Sequence, residues 1–170
     1  MLRTIERHEE TGLGLPYPVI VMNAAQEMVE DGEVMGVRVP DLEGLARAIA
    51  VARALCPLSL AGAEIRFMRR VLNMTQKQFA AALEIENAET ISRWENSTKG
   101  MGGYTEKLIR ALIVMTLAPQ VPGVRVPPDA VLRLQIQQRA PDQWPEIVLE
   151  RIKMRQDGDL SMEWELPKAA

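Results

Sequence analysis

Residues 75–96 read TQKQFAAALEIENAETISRWEN, and this stretch decides the fold that we expect around it. Its first residue is a threonine, a good N-cap, and Phe79 and Leu83 lie four apart, on one face of the helix that would follow. The helical pattern breaks after Leu83 and restarts with Ile91 and Trp94, three residues apart. The stretch therefore predicts two short helices joined by a tight turn, an arrangement whose second helix can enter the major groove of DNA.

These residues resemble the Cro/repressor-type (XRE) helix-turn-helix, a family of DNA-binding regulators. The most similar pieces are Thr75-Gln76 and residues 91–96, ISRWEN. The wider range 40–117 resembles the DNA-binding part of MqsA-type antitoxins, which bind a toxin and repress their own operon. Those antitoxins have a cysteine-rich zinc-binding N-terminus, whereas Cys56 is the only cysteine of this chain.

The turn of the motif also departs from the family. Glu84 occupies the position where the family usually has glycine, because that residue often adopts the left-handed conformation. The turn is one residue longer as well. We therefore expect Asn87 to take the left-handed conformation in place of Glu84.

The outward positions of the motif are the candidate DNA contacts that the resemblance implies. The base-reading candidates are Asn87, Ala88, Glu89 and Arg93, and the phosphate-contact candidates are Thr75, Gln76, Lys77, Thr90, Lys99 and Tyr104. Arg93 can bind guanine in a bidentate manner, Glu89 can accept from cytosine, and Ala88 can lie against a thymine methyl group. Thr75 and Gln76 lie at a helix N-terminus, which favours phosphate. The alternative is a helical core without a DNA role, in which Arg93 is a solvated charge.

The charge distribution is compatible with a DNA-binding centre. The net charge is −3, but residues 58–112 hold 8 basic and 6 acidic side chains, a balance of +2. Residues 1–57 hold 5 basic and 9 acidic side chains, and residues 113–170 hold 7 and 8. Positive charge therefore gathers around the motif, which predicts salt-sensitive binding. Against this, Glu84, Glu86 and Glu89 would repel phosphates.

Composition argues against several other classes of protein. The chain has one histidine, His8, which argues against Ser-His and Cys-His nucleophile systems. No phosphate-binding glycine loop is present either, so we expect no enzyme and no cofactor. A single cysteine excludes a cysteine-cluster metal site and fits a cytoplasmic location. No signal peptide or membrane span is expected, because no apolar run is long enough.

The segment 1–39 before the motif is expected to contain strands. Residues 1–15 are polar, and we expect them to be loosely held. Two short strands at 18–22 and 34–39 would pair antiparallel, since Asp31-Gly32 between them is a turn signal. Residues 24–29 remain open to a helical turn.

Helical periodicity dominates the range 40–117. Beyond the motif it predicts helices at 42–55, about 62–72, and about 105–117. Leu108, Leu112 and Met115 form one apolar stripe on the last of these. On the helix at 62–72, Arg66, Arg69 and Arg70 are expected to point outward.

Residues 118–128 contain four prolines and are expected to form a linker, followed by a C-terminal segment at 129–170. That segment begins with a short helix at 129–138 and ends in a hairpin, 148–156 and 159–166. A three-residue loop, Gln156-Asp157-Gly158, would place the apolar side chains of both strands on one face, by pairing Met154 with Leu160. A two-residue Asp-Gly loop would pair Met154 with Ser161 and put the apolar sets on opposite faces, so we favour the three-residue loop. A helix at 145–155 is the competing interpretation.

Together these patterns predict a mainly α (α+β) fold. It would comprise a helix-turn-helix bundle with a small antiparallel β-sheet from the N- and C-terminal segments. The expected function is a sequence-specific, transcription-regulating DNA-binding protein, a homodimer on a palindromic operator in double-stranded DNA. The hairpin would contribute to dimerisation, because a lone hairpin is marginal in water. The alternative is an antitoxin or antiactivator that neutralises a protein partner, a toxin or an activator, with DNA binding secondary or lost.

Overall fold

The computed structural model describes residues 1–97 and 101–168 of the chain. Five strands come first, at Leu2–Thr4 (β1), Arg7–Glu10 (β2), Val19–Met22 (β3), Gln26–Glu30 (β4) and Glu33–Arg38 (β5). The helices are Leu42–Leu55 (α1), Gly62–Val71 (α2), Gln76–Ala82 (α3), Ala88–Asn96 (α4), Gly103–Leu117 (α5) and Ala130–Arg133 (α6). A 3-10 turn at Ala118–Gln120 follows α5, and the last two strands are Val148–Gln156 (β6) and Asp159–Glu165 (β7).

The prediction of a mainly α bundle with one small antiparallel sheet is wrong. The fold is α+β with two sheets, and 24% of the residues lie in strands against 38% in helices. One sheet has the order β1-β4-β5, and the other has the order β2-β3-β6-β7. The second sheet is mixed, because β3 and β6 run parallel, with Val21 opposite Leu149. Val21 and Leu149 are both fully buried, so this parallel pair lies in the core.

The N-terminal segment differs most from the prediction. Asp31-Gly32 does form a two-residue turn, with φ of 49° and 84°, but it joins β4 to β5 and pairs Glu30 with Glu33. β3 lies in the other sheet, nine residues before the turn, so the predicted pairing of 18–22 with 34–39 is wrong. Residues 24–29 contribute β4 and are not a helical turn. The polar start of the chain is not loose, because β1 pairs with β4 and β2 pairs with β3.

The C-terminal hairpin has the register of the two-residue loop, not that of the favoured three-residue loop. Asp157 and Gly158, with φ of 51° and 91°, form a two-residue turn, which pairs Met154 with Ser161. The three-residue loop and the helix at 145–155 are therefore both wrong. The reason is tertiary: Trp164 is 2% exposed and lies in the core, and the Arg151 guanidinium stacks 5.4 Å from its ring centroid. Arg151 and Trp164 share one face, and Ile152 and Met154 on the other face line a pocket with Pro122, so the hairpin has neighbours on both faces.

The helical core is built around α1 and α5. Ile109, Ile113 and Leu117 are the buried stripe of α5, whereas Leu108 and Met115, predicted to lie together with Leu112, are 40% and 78% exposed. Both stripes fit a helical period, and packing against α1 selects between them. α6 is shorter than the helix predicted at 129–138, with four residues.

Two buried arginines bind the C-terminal end of α1. The Arg110 Nη1 and Nη2 groups donate to the carbonyl oxygens of Ala54, Cys56 and Leu58 at 2.5–2.9 Å, which satisfies groups that a helix end leaves unpaired. Desolvation lowers the pKa of Arg110, although Glu106 opposes this shift. Arg53 donates to the Glu64 carboxylate at 2.5 Å and so connects α1 to α2.

A continuous cluster of buried apolar side chains extends from Tyr17 to Trp164. The proline-rich segment 118–128 takes part in it, since Val121 and Val124 are 3% and 4% exposed. Gly123 lies against the β7 backbone, where a Cβ would come within 2.2 Å of the Trp164 carbonyl oxygen. Among the described residues, no helix is both long enough and apolar enough to cross a bilayer.

Candidate nucleic-acid interface

The turn between α3 and α4 is formed by a left-handed glutamate. Glu84 has φ of 54°, and the Ile85 N–H behind it donates to the Ala80 carbonyl oxygen at 2.8 Å. Asn87 has φ of −126°, so the expectation that it would be left-handed is wrong. The Asn87 side chain instead caps α4, where it accepts from the Glu89 N–H at 2.9 Å.

The start of α3 carries the predicted cap. The Thr75 hydroxyl accepts from the Gln78 N–H at 3.1 Å, and the Gln78 side chain accepts in return from the Thr75 N–H at 2.8 Å. This reciprocal capping box satisfies two donors that the helix end leaves free. The N-terminus of α3 is therefore fixed by contacts within the chain.

A buried carboxylate holds the three helices of the motif together. Glu95 on α4 accepts from Arg69 of α2 at 2.5 Å and from Gln76 of α3 at 3.0 Å. Its side chain is 1% exposed, and Arg66 adds a longer contact of 3.5 Å. We call this group the Glu95 cluster. Arg69, predicted to point outward, is instead 12% exposed and faces inward.

The Glu95 cluster also perturbs the acidity of its carboxyl group. Desolvation by burial would raise the pKa of Glu95, but hydrogen bonds from Arg69 and Gln76 and the Arg69 charge outweigh it. The pKa of Glu95 is lowered as a result. The carboxylate is therefore ionised and bonded at neutral pH.

The N-terminus of α2 and the C-terminal end of α4 meet at a glycine. A Cβ on Gly62 would lie 2.5 Å from the Trp94 carbonyl oxygen and 2.6 Å from that of Glu95. Only a residue without a side chain permits this approach of one backbone to another. The contact orients α4 independently of the charges in the Glu95 cluster.

The opposite face of α4 is exposed, and its end, at Asn96, is bonded to α2 through Arg66. Glu89, Arg93 and Asn96 are exposed, and their spacing of four and three residues places them on one stripe. In the part of the chain that the structure describes, the Arg93 guanidinium has no hydrogen-bond or ion-pair partner. An unpaired, planar group with five donors is thus presented on the outward stripe of the helix.

The other candidates fall into three groups. Lys77 is exposed, Ala88 and Thr90 are half-buried, and the Gln76 amide is bonded to Glu95. Tyr104 is 79% exposed and belongs to a different surface, an apolar groove that it shares with Leu108, Met115 and Leu132. Lys99 lies outside the described residues. The motif thus brings Lys77, Glu89 and Arg93 to its surface, and Glu84 and Glu86 are exposed beside them.

Sequence reasoning missed the role of Glu95, although a signal for it was present. Ile91 and Glu95 lie four apart, so the helical period places this glutamate on the buried face of α4. A charge at such a position requires a buried partner, and Arg66 and Arg69 of α2 are candidates for it.

Comparison of the chain with protein-family models, with curated proteins and with solved structures gave no match. The described residues also contain no group of three or more His, Cys, Asp or Glu side chains arranged to hold a metal ion.

Proposed function

We propose that this chain is a sequence-specific DNA-binding regulator that places α4 in the major groove of double-stranded DNA. The observation that carries the proposal is the asymmetry of α4. One face is fixed by the Glu95 cluster and by Gly62, and the opposite face presents Arg93 without a protein partner. A helix that is held rigidly by one face and polar on the other can enter a groove without rearranging.

The side chains divide into two roles under this proposal. Arg93 is the main base reader, with guanine as its preferred base, and Glu89 selects cytosine four residues earlier on the same stripe. Asn87 and Ala88 begin the helix and contact the adjacent base pair. Lys77 and the N-terminus of α3, with Thr75 and Gln76, bind phosphate and set the orientation.

We further propose that two copies bind a near-palindromic operator. One short reading helix contacts few base pairs, so tight and selective binding calls for a second half-site, about 34 Å away. The surface that we assign to the second copy is the exposed stripe of Tyr104, Leu108 and Met115 on α5. These positions, four and seven residues apart, form a self-complementary apolar row for an antiparallel pair of helices.

The proposal is tested by selecting duplexes from a random DNA library with the full-length protein and measuring affinity by fluorescence anisotropy. We expect enrichment of one palindromic site and two protomers per duplex by light scattering. Arg93→Ala should cost about 1–3 kcal/mol on the selected site and less on random DNA. Arg155→Ala, a matched change of an exposed arginine on β6, should leave the affinity unchanged. A library without any enriched sequence would reject the proposal.

One observation favours a second candidate, the protein-interaction module. β5 is an edge strand of the β1-β4-β5 sheet, and Val34, Met35 and Val37 along it are 41–64% exposed. An open apolar edge can accept a strand from a partner protein. A toxin-like reading frame beside the gene, whose product binds the chain and is released by Met35→Lys, would favour this candidate over the first.

A further inference from the structure

A cavity separate from the apolar groove at Tyr104 lies between the loop after β2 and the helices α1 and α2. Its volume is about 310 Å³, close to the lower limit for pockets that hold small molecules. Apolar side chains from all three elements form part of its lining: Leu13, Ala46, Phe67 and Val71. Phe67 is 5% exposed and belongs to the core, so the cavity rests on rigid structure.

The same cavity is lined by three arginines. Arg47 of α1 and Arg66 and Arg70 of α2 line it, against a single acidic residue, Glu43. Glu43 pairs with Arg47 at 3.2 Å. Within residues 1–97 and 101–168, the Arg70 side chain has no ion-pair or hydrogen-bond partner. The lining therefore carries an excess of positive charge beside an apolar surface.

We propose that this cavity binds a small organic anion, a carboxylate or a phosphate monoester with a short apolar body. The guanidinium of Arg70 is free to bind the anionic group in a bidentate manner, with Arg47 and Arg66 within the same cavity. The apolar body lies against Leu13, Phe67 and Val71. Both parts of the ligand are thus matched by groups already in place.

Arg66 connects the cavity to the C-terminal end of α4. Its Nη2 donates to the Asn96 Oδ1 at 2.6 Å, and its Nε lies 3.5 Å from Glu95. Asn96 in turn donates to the Ser92 carbonyl oxygen at 2.8 Å, one turn back along the helix. An anion that recruits the Arg66 guanidinium competes with these bonds and alters the end of α4. An effect of the anion on DNA binding rests on the proposed function of α4, whereas anion binding itself does not.

The test is a titration of the ¹⁵N-labelled full-length protein, followed by NMR, with phenyl phosphate, benzoate and inorganic phosphate as separate probes. We expect saturable shifts of the cavity amides with phenyl phosphate or benzoate, and tighter binding than that of inorganic phosphate. The better of the two organic probes identifies the anionic group. The Asn96 amide should shift at the same probe concentrations as the cavity amides.

Arg70→Gln should lower the affinity for the better probe about tenfold, because the substitution removes a charge-assisted hydrogen bond. The fold should be unaffected, since Arg70 is exposed and unpaired. Arg38→Gln, an exposed arginine on β5, is the matched control and should bind as the unchanged protein does. Absence of saturable shifts with both organic probes, or equal affinity in Arg70→Gln, would overturn the site. Cavity shifts without a shift of Asn96 would overturn the connection to α4.

These outcomes are distinct from those of the DNA selection. The titration contains no DNA, so a failed selection leaves the anion site standing, and a failed titration leaves the DNA-binding proposal standing. If both hold, the selected duplex should bind with altered affinity when the better probe is saturating.

Discussion

At the residue scale, the carboxylate of Glu95 lies among two guanidinium groups and the Gln76 amide. A buried ion pair is not in itself a source of stability, because desolvation opposes the Coulomb attraction. The removal of one partner is different, since it leaves the other charge buried without compensation. Glu95 is the common partner of the Glu95 cluster, so its loss removes the carboxylate partner of Arg69 and Gln76 together and leaves Arg69 only the Met74 carbonyl oxygen.

We expect Glu95→Gln to lower the free energy of unfolding by about 2–3 kcal/mol. This is less than the cost of breaking a fully buried ion pair, because Arg66 is partly exposed. Urea unfolding followed by circular dichroism measures the change. Glu89→Gln is the matched control on the exposed face of the same helix, and we expect it to change stability by less than about 0.5 kcal/mol. Equal stability of the two variants would show that the Glu95 cluster does not hold the motif.

The lowered pKa of Glu95 predicts a pH dependence of stability. A carboxyl group whose pKa is lower in the folded state contributes stability above its unfolded pKa, about 4.3 for glutamate. That contribution is lost as the pH falls through the folded pKa. The stability difference between the unchanged protein and Glu95→Gln should therefore be full at pH 6 and shrink below about pH 4. A difference that stays constant down to pH 3 would contradict the assignment.

At the scale of secondary-structure elements, the position of α4 depends on the crossing at Gly62. The Trp94 and Glu95 carbonyl groups near it belong to the helix backbone and cannot move aside as a flexible side chain would.

The turns of the two hairpins are also set by single elements of sequence. Asp31-Gly32 and Asp157-Gly158 both have positive φ at two successive residues, the geometry of the turns that two-residue hairpins favour.

Gly62→Ala should destabilise the protein by about 2 kcal/mol or more, because a Cβ there clashes with backbone atoms of α4. Gly103→Ala is the matched control at the start of α5, where none of the described atoms lies within 4 Å of the added Cβ. Since alanine reduces the entropy of the unfolded chain, the control should be neutral or more stable by up to about 1 kcal/mol. Thermal unfolding of both variants provides the comparison, and a tolerated Gly62→Ala would mean that α2 and α4 are less closely held.

At the scale of the whole molecule, the C-terminal hairpin is part of the core. β6 pairs with β3, and the Trp164 indole N–H donates to the Asp41 carbonyl oxygen before α1 at 3.3 Å. The surface that the hairpin needs is therefore provided within the same chain. The reason for expecting the hairpin to contribute to a dimer no longer holds.

Deletion of residues 141–170 should abolish cooperative folding. It removes Ile147, Leu149 and Trp164, each at most 5% exposed, and uncovers the β3 strand and part of α1. Burial of each such side chain contributes about 1.5–3 kcal/mol, so the loss approaches the whole stability of a typical domain. The measurement is urea unfolding of the truncated chain, with a deletion of residues 167–170 as the control. A sharp transition near that of the full-length protein would show that residues 1–140 fold independently.

Local sequence signals determined the helices and turns of this protein. The hydroxyl cap at Thr75, the core spacing of Phe79 and Ile91, and the Asp31-Gly32 turn were recognisable, because each depends on residues a few positions apart. The same local signals favoured the wrong loop at 156–158. The candidate interface was recognisable in the same way, since the exposure of Glu89 and Arg93 follows from the helical period of α4.

The pairing of strands and the choice of buried face depended on the tertiary structure. β3 joins β6 across more than a hundred residues, and a turn signal at Asp31-Gly32 cannot specify a strand that lies so far away. Two apolar stripes of α5 fit the same period, and contact with α1 buried only the one at Ile109 and Ile113. A pattern in sequence fixes which residues share a face, but the free energy gained by burying that face depends on the surface that packs against it.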